Sequence, residues 1–217
     1  MKSRLLLLAS LPLVLAAAHP AVAGFPPIGP NSSVPPCLTI VGHNGAGVPD
    51  PLGRFPVIIR DLANNPVPGV IVTLDLSQCS DIALCAQQND PAAVVNCAQK
   101  TVSKITAADG SVTFIVMGCA LNAGASPGIQ VPQARVFADG FLLASVWSPV
   151  LDQSGCDGIG ANDLSTWLSD FFSGQYFVRS DYDYSGYLGA NDLSLWITAF
   201  GLGGSVAGCS SIGGACP

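Results

Sequence analysis

Residues 152–164 read DQSGCDGIGANDL, and residues 181–193 read DYDYSGYLGANDL. The copies lie 29 residues apart and both contain the string GANDLS. Each places a tryptophan four residues after its last Asp, Asp163 to Trp167 and Asp192 to Trp196. Repetition at a fixed spacing names a structural unit. Each unit reads as a carboxylate-rich loop followed by a short amphipathic helix, DLSTWLSDFF and DLSLWITAF. Leu164, Trp167, Leu168 and Phe171 recur at helical spacing, as do Leu193, Trp196, Ile197 and Phe200, so two facing helices would form a miniature core. Asp163 and Asp192 fall at the helix starts, where a carboxylate also complements exposed N–H groups and the dipole.

The loops have a spacing that suits a hard cation. Calcium takes six to eight oxygens, and a 12-residue loop supplies them from positions 1, 3, 5, 7, 9 and 12. In the second copy these positions are Asp181, Asp183, Ser185, the Tyr187 carbonyl, Gly189 through water, and Asp192. Gly186 occupies position 6, where the chain turns sharply, and Leu188 occupies position 8, where an apolar residue can pair two loops. In the first copy Asp152, Ser154, the Gly158 carbonyl, Gly160 and Asp163 fit positions 1, 3, 7, 9 and 12. Cys156 takes position 5, where sulfur is a poor ligand for calcium, and Asp157 stands where Gly is expected. Either Asp157 swings in as a substitute, or this loop is degenerate and held by a disulfide from Cys156.

The duplicated D-x-D-x-S-G-x-[IL]-G-A-N-D-L text, with Asp rather than Glu at position 12, resembles the dockerin repeat, an EF-hand-like pair. The resemblance covers residues 152 to about 201. It implies calcium as cofactor, with affinities of order 10⁻⁴ to 10⁻³ M as in extracellular modules. It also implies a cohesin-like protein or cell-surface component as partner, contacted through loop positions 10 and 11 and the middle of each helix. The matching residues are Ala161, Asn162, Leu168 and Ser169, and Ala190, Asn191, Ile197 and Thr198. The alternative is a calcium-stabilised cap packed on the chain's own β region, which a disulfide between the two parts would favour.

The chain opens with Lys2 and Arg4, an apolar run over Leu5–Ala18 and Ala21-Val22-Ala23, the pattern of a secretory signal peptide over 1–23. Pro12, His19 and Pro20 leave the run short of the ~20 apolar residues a membrane span needs. Removing 23 of 217 residues leaves 194, enough for one moderate domain and a small one. Loss of Lys2 and Arg4 takes the net charge from −6 to −8, which argues against nucleic acid and anionic membranes as partners. All 14 acidic residues are Asp, and seven of them lie within 152–192.

Eight cysteines, all after the signal segment, fit an oxidising compartment and up to four disulfides. Five precede residue 150 and three (Cys156, Cys209, Cys216) follow it, so full pairing requires at least one bridge between the halves. The Gly/Ser-rich tail, 203–217, is expected to be folded back by Cys209 and Cys216, with Cys156 a candidate partner.

Between these ends the text is β-like. Residues 24–36 form a Pro-rich linker or extended lead-in. Candidate strands are Cys37–Val41, Phe55–Arg60, Val70–Leu76, Thr101–Thr106, Ser111–Met117, Arg135–Ala138 and Phe141–Trp147. Asp109-Gly110 and Asp139-Gly140 each predict a hairpin between the strands they join. Residues 78–98 read as a disulfide-tied insertion rather than a strand, with a binding loop as the alternative. The pattern predicts an antiparallel β-sandwich over 37–150, followed by the α-helical pair at 151–202. NNPVPGVIVTLDLS with KITAADGSVTFIV resembles the bacterial immunoglobulin-like domains. Such sandwiches serve as stalks, spacers and adhesive modules alike.

Catalytic signatures are scarce. His43 is the sole histidine after the signal segment, no Gly-x-Ser-x-Gly elbow surrounds a serine, and no Glu is available for a glycosidase pair. The sequence therefore predicts a secreted, non-catalytic calcium-binding protein acting in adhesion, scaffolding or extracellular assembly. The alternatives are a cohesin-recruited component of a polysaccharide-degrading complex, and a carbohydrate- or ligand-binding sandwich using the 78–98 loop.

Overall fold

The computed structural model describes residues 29–42, 48, 50–121, 132–201, 209 and 213–216. Residues 1–23, where a signal peptide is expected, and His43 lie outside the described residues. Among the described residues the chain is mainly β, with two α-helices towards its C-terminal end. The strands are β1 (Arg54–Ile58), β2 (Ile71–Asp75), β3 (Ile82–Leu84), β4 (Val94–Asn96), β5 (Thr101–Ile105), β6 (Ser111–Ile115), β7 (Gly118–Ala120), β8 (Ala134–Ala138) and β9 (Phe141–Val146). The helices are α1 (Ala161–Phe172) and α2 (Ala190–Ala199).

The strands form three ladders: β1-β6, β4-β5-β2-β8-β9 and β3-β7. All named pairs are antiparallel. Inward positions alternate as the pleat requires: Phe55 and Val57 on β1, Val72 and Leu74 on β2, Val112 and Phe114 on β6. These side chains belong to one buried cluster with Val102 and Val136, so the β1-β6 ladder and the five-stranded sheet share a core.

The expected hairpin at Asp139-Gly140 forms. Ala138 pairs with Phe141, and both turn residues have positive φ (46° and 83°), as a two-residue type I′ turn demands. Asp109-Gly110 does not make the predicted hairpin. Its flanking strands part company, β5 pairing with β2 and β6 with β1. The turn is instead a corner between ladders, where Ile59 N–H bonds the Gly110 carbonyl at 2.8 Å. A Cβ at Gly110 would stand 2.6 Å from the Ile59 carbonyl, so the glycine serves this close approach.

Three other expectations need correction. Segment 37–41 is buried but makes isolated parallel bridges, Cys37 to Trp147, Ile40 to Val150 and Val41 to Met117, rather than an antiparallel strand. From Gly29 the lead-in is not a free linker, because Ser33 bridges Ile58 by two backbone bonds of 2.8 and 2.9 Å. Segment 78–98 contains β3 and β4. β3 is fully buried against β7, where Gly118 lets the backbones meet: a Cβ there would lie 2.5 Å from the Ala83 carbonyl.

Disulfides tie the two parts of the chain together. Cys85–Cys209, Cys97–Cys216 and Cys119–Cys156 each join a cysteine before residue 150 to one after it. The tail is folded back as expected, its Ala215 bridging Cys85 and Cys216 N–H bonding the Leu84 carbonyl at 2.7 Å. Its partners are Cys85 and Cys97, not Cys156. Three bridges replace the four allowed, since Cys37 and Cys79 are free and buried.

Candidate metal centre

The repeat sits on the β region through a core of its own. Trp167, Trp196, Tyr182, Ile159, Leu151 and Ala199 cluster with Val41, and Leu52 and Ile115 pack against them. The predicted helix stripes are only half used. Trp167 and Trp196 are buried, whereas Leu168, Phe171, Ile197 and Phe200 remain exposed, with Phe171 and Phe200 stacked on the tryptophans. The two helices share this cluster, to which the β region adds Val41, Leu52 and Ile115.

Each loop is tied to its helix by its position-12 carboxylate. Asp192 accepts N–H bonds from Tyr182 (2.7 Å), Asp183 (3.1 Å) and Gly189 (2.8 Å). Asp163 accepts the equivalent three from Gln153 (2.5 Å), Ser154 (2.7 Å) and Gly160 (2.6 Å). Both side chains are buried, and burial holds both above the usual carboxylate range against the opposing effect of these bonds. Position 1 repeats as well. Asp181 accepts from Ser185 (3.1 Å) and Gly186 (3.0 Å), and Asp152 from Cys156 (3.2 Å) and Gly158 (2.9 Å).

The loops then diverge. In the second, carboxylate oxygens of Asp181, Asp183 and Asp192 all lie within 4.8 Å of one another. Ser185 Oγ donates to the Tyr187 carbonyl at 3.1 Å, so the oxygens of positions 5 and 7 are also neighbours. Asp183 is held below its ordinary value by its bonds with Ser185. This all-oxygen donor set suits calcium. Asp181, Asp183, Ser185, Tyr187 and Asp192 would hold the ion, which would neutralise three converging negative charges.

In the first loop no third carboxylate joins Asp152 and Asp163 among the described residues. Asp157 points to solvent, and Cys156 is bonded to Cys119. Of the two alternatives for this loop, the geometry matches the disulfide-held one. Asp152 is 1 % exposed, and burial, with the like charges of Asp163 and Asp157, pushes it up to about 7.

Sequence reading missed several polar anchors. Asp170 is buried on α1 and accepts bonds from Arg179 (2.6 and 2.8 Å) and Ser180 (2.6 Å), fixing the segment between the loops. Its signal was available: Asp163, Trp167 and Asp170 share the i, i+4, i+7 face. Gln153 and Tyr182, the second residues of the two loops, join at 2.8 Å across the repeat. Tyr176 donates to Asp181 at 2.6 Å, and the hydroxyl of Tyr184 bonds that of Thr39 on the β region. Only the Tyr184–Thr39 pair joins stretches far apart in the text.

Comparison with known proteins finds no matching family model, no matching curated protein and no matching solved structure.

Proposed function

We infer that this chain is a secreted, non-catalytic protein in which a dockerin-like calcium pair caps an immunoglobulin-like sandwich, serving adhesion, scaffolding or extracellular assembly. The observation that carries the calcium reading is the convergence of carboxylate oxygens of Asp181, Asp183 and Asp192 within 4.8 Å of one another. Three like charges in a partly desolvated loop favour a divalent cation over leaving the charges to one another. The common core beneath the β1-β6 ladder and the five-stranded sheet supports the sandwich reading. Three disulfides fit an oxidising compartment, and no helix among the described residues is long and apolar enough to cross a membrane.

The cap reading is favoured because all three disulfides and a shared apolar core join the repeat and tail to the β region. A unit so fastened is a rigid part of its own protein rather than a detachable adaptor. A second reading keeps one specific observation. Ala161, Asn162, Leu168 and Ser169 are exposed, as are Ala190, Asn191, Ile197 and Thr198, which leaves the dockerin contact positions open to a cohesin-like partner. Capture from the native secretome with and without a calcium chelator separates the two. A calcium-dependent partner lost on replacing both Asn162 and Asn191 supports recruitment, and its absence leaves the cap. Calcium titration by calorimetry tests the centre itself: heat that disappears in Asp181→Ala/Asp192→Ala is expected, and no heat in the native protein refutes it.

A further inference from the structure

A pocket of about 300 Å³ opens where the repeat meets the β region. Cys37 and Trp147 line it from the β side; Tyr176, Asp181, Tyr184 and Gly186 line it from the repeat. Trp147, Tyr176 and Tyr184 belong to none of the buried apolar clusters. They are three of the seven Trp and Tyr residues in the chain, placed around an opening instead of in a core.

Tyr184 reaches this position at a conformational cost. Its φ is +59°, left-handed backbone that an aromatic residue rarely adopts, while the matching residue of the first copy is Gly155, with φ +126°. The two loops thus differ at position 4 by an aromatic side chain whose ring lines the pocket and whose hydroxyl is anchored on Thr39. Unusual backbone conformations persist where the surroundings hold them, and they concentrate at ligand sites.

The lining decides the ligand class. Among the described residues no Lys, Arg or His lines the pocket, which disfavours an anion. Aromatic faces suit the C–H face of a ring, and the hydroxyls of Tyr176 and Tyr184, bonded to Asp181 and Thr39, keep further hydrogen-bonding capacity at its edge. An organic cation would also suit aromatic faces beside a carboxylate. Calcium on Asp181 removes that attraction, and the choice between the two classes rests on the calcium reading. The volume is at the small end for ligand sites and admits one six-membered ring rather than a chain.

We propose that this junction pocket binds a single pyranose ring of a carbohydrate, stacked on Trp147 and Tyr184, next to the Asp181 calcium loop. The site differs from the 78–98 loop, whose Cys85 and Cys97 are committed to holding the tail.

Saturation-transfer NMR on the full secreted chain tests this, with free glucose, galactose, mannose and xylose in turn, and with tetramethylammonium, each at about 10 mM with calcium present. At least one pyranose is expected to receive saturation, weakened at least tenfold by Trp147→Ala and by Tyr184→Gly. The second variant tolerates φ +59° without strain, so its fold is expected to persist, and its calcium-induced rise in melting temperature should match the native protein. Sugar saturation without any calcium response would support the pocket while refuting the calcium reading. No saturation of any pyranose, saturation unchanged in both variants, or preferential saturation of tetramethylammonium would overturn the proposal.

Discussion

Asp183 offers the sharpest test of the calcium centre, because it is the loop carboxylate that the fold needs least. Asp181 and Asp192 are buried and accept backbone bonds that shape the loop, so removing either perturbs folding and metal binding together. Asp183 is half-buried and accepts one backbone bond, from Ser185 at 3.0 Å, which an amide oxygen can also accept. Asp183→Asn therefore deletes a charge while keeping the turn. Without calcium its melting temperature is expected to equal or slightly exceed that of the native protein, since one member of a repelling trio is gone. With calcium the order reverses. For Kd of order 10⁻³ to 10⁻⁴ M, about 10 mM calcium stabilises the native chain by RT ln(1 + [L]/Kd), or about 1.4 to 2.7 kcal/mol. At about 2 to 4 °C per kcal/mol for a chain of this length, melting rises by about 3 to 11 °C. A tenfold weaker site in Asp183→Asn loses about 1.0 to 1.3 kcal/mol of this by the same relation, about half to three-quarters of the rise. Differential scanning fluorimetry with calcium, with magnesium and with chelator gives the comparison. An equal calcium-specific rise in the variant would refute the assignment of Asp183 as a ligand, and no rise in the native protein would refute the centre.

Four further outcomes follow from the packing. Burial pushes the Cys37 and Cys79 thiols up to about 12, so Ellman's reagent should find no reactive thiol in the native protein and two after denaturation without reductant. The sign of the linkage is set by the raised folded value: the contribution is complete below the unfolded thiol value of 9.0 and is lost as pH rises towards 12, so stability measured by urea titration should fall across that alkaline window. Replacing Cys119 and Cys156 together with serine opens a loop of 37 residues, and chain entropy puts the loss at about 4 kcal/mol; an unchanged urea midpoint would show that the bridge does not form. Asp170→Ala leaves Arg179 without its buried carboxylate and should cost about 3 to 5 kcal/mol, with a loosened Trp167 environment visible in fluorescence.

Local pattern made the strands and helices legible. Short apolar, β-branched runs between turn signals located β1, β2, β5, β6, β8 and β9, and the 29-residue repeat located both helices. Pairing was less legible because it depends on where the chain goes after a turn. Two Asp-Gly turns with the same local preference became one hairpin and one corner, and only the close approach of Gly110 to Ile59 separates them. The disulfide count forced one bridge across the halves, but the choice of three depended on β3 pairing with β7 and on the tail returning beside β3. The candidate centre was legible because its oxygens come from one short stretch of chain. The junction pocket was not, because it assembles Cys37, Trp147 and Tyr184 from three distant stretches.

The two loops began as copies and are now held by different means. Both keep the position-12 carboxylate bonded to the same three N–H groups, which is the part that starts the helix. They differ where an ion would sit. The second turns at Gly186, with φ +82°, and bonds Asp181 to that residue's N–H; the first takes left-handed backbone at Gly155, Cys156 and Gly158, and bonds Asp152 one residue later, at Gly158. This displaced path carries Cys156 to Cys119 and leaves Asp157 in solvent. A covalent bridge to β7 thus holds the first loop in the place where three carboxylates converge in the second. On the proposed calcium reading, one unit is fastened to the β region at one end and takes its ion at the other. The second loop, through Asp181 and Tyr184, is also the end that borders the junction pocket.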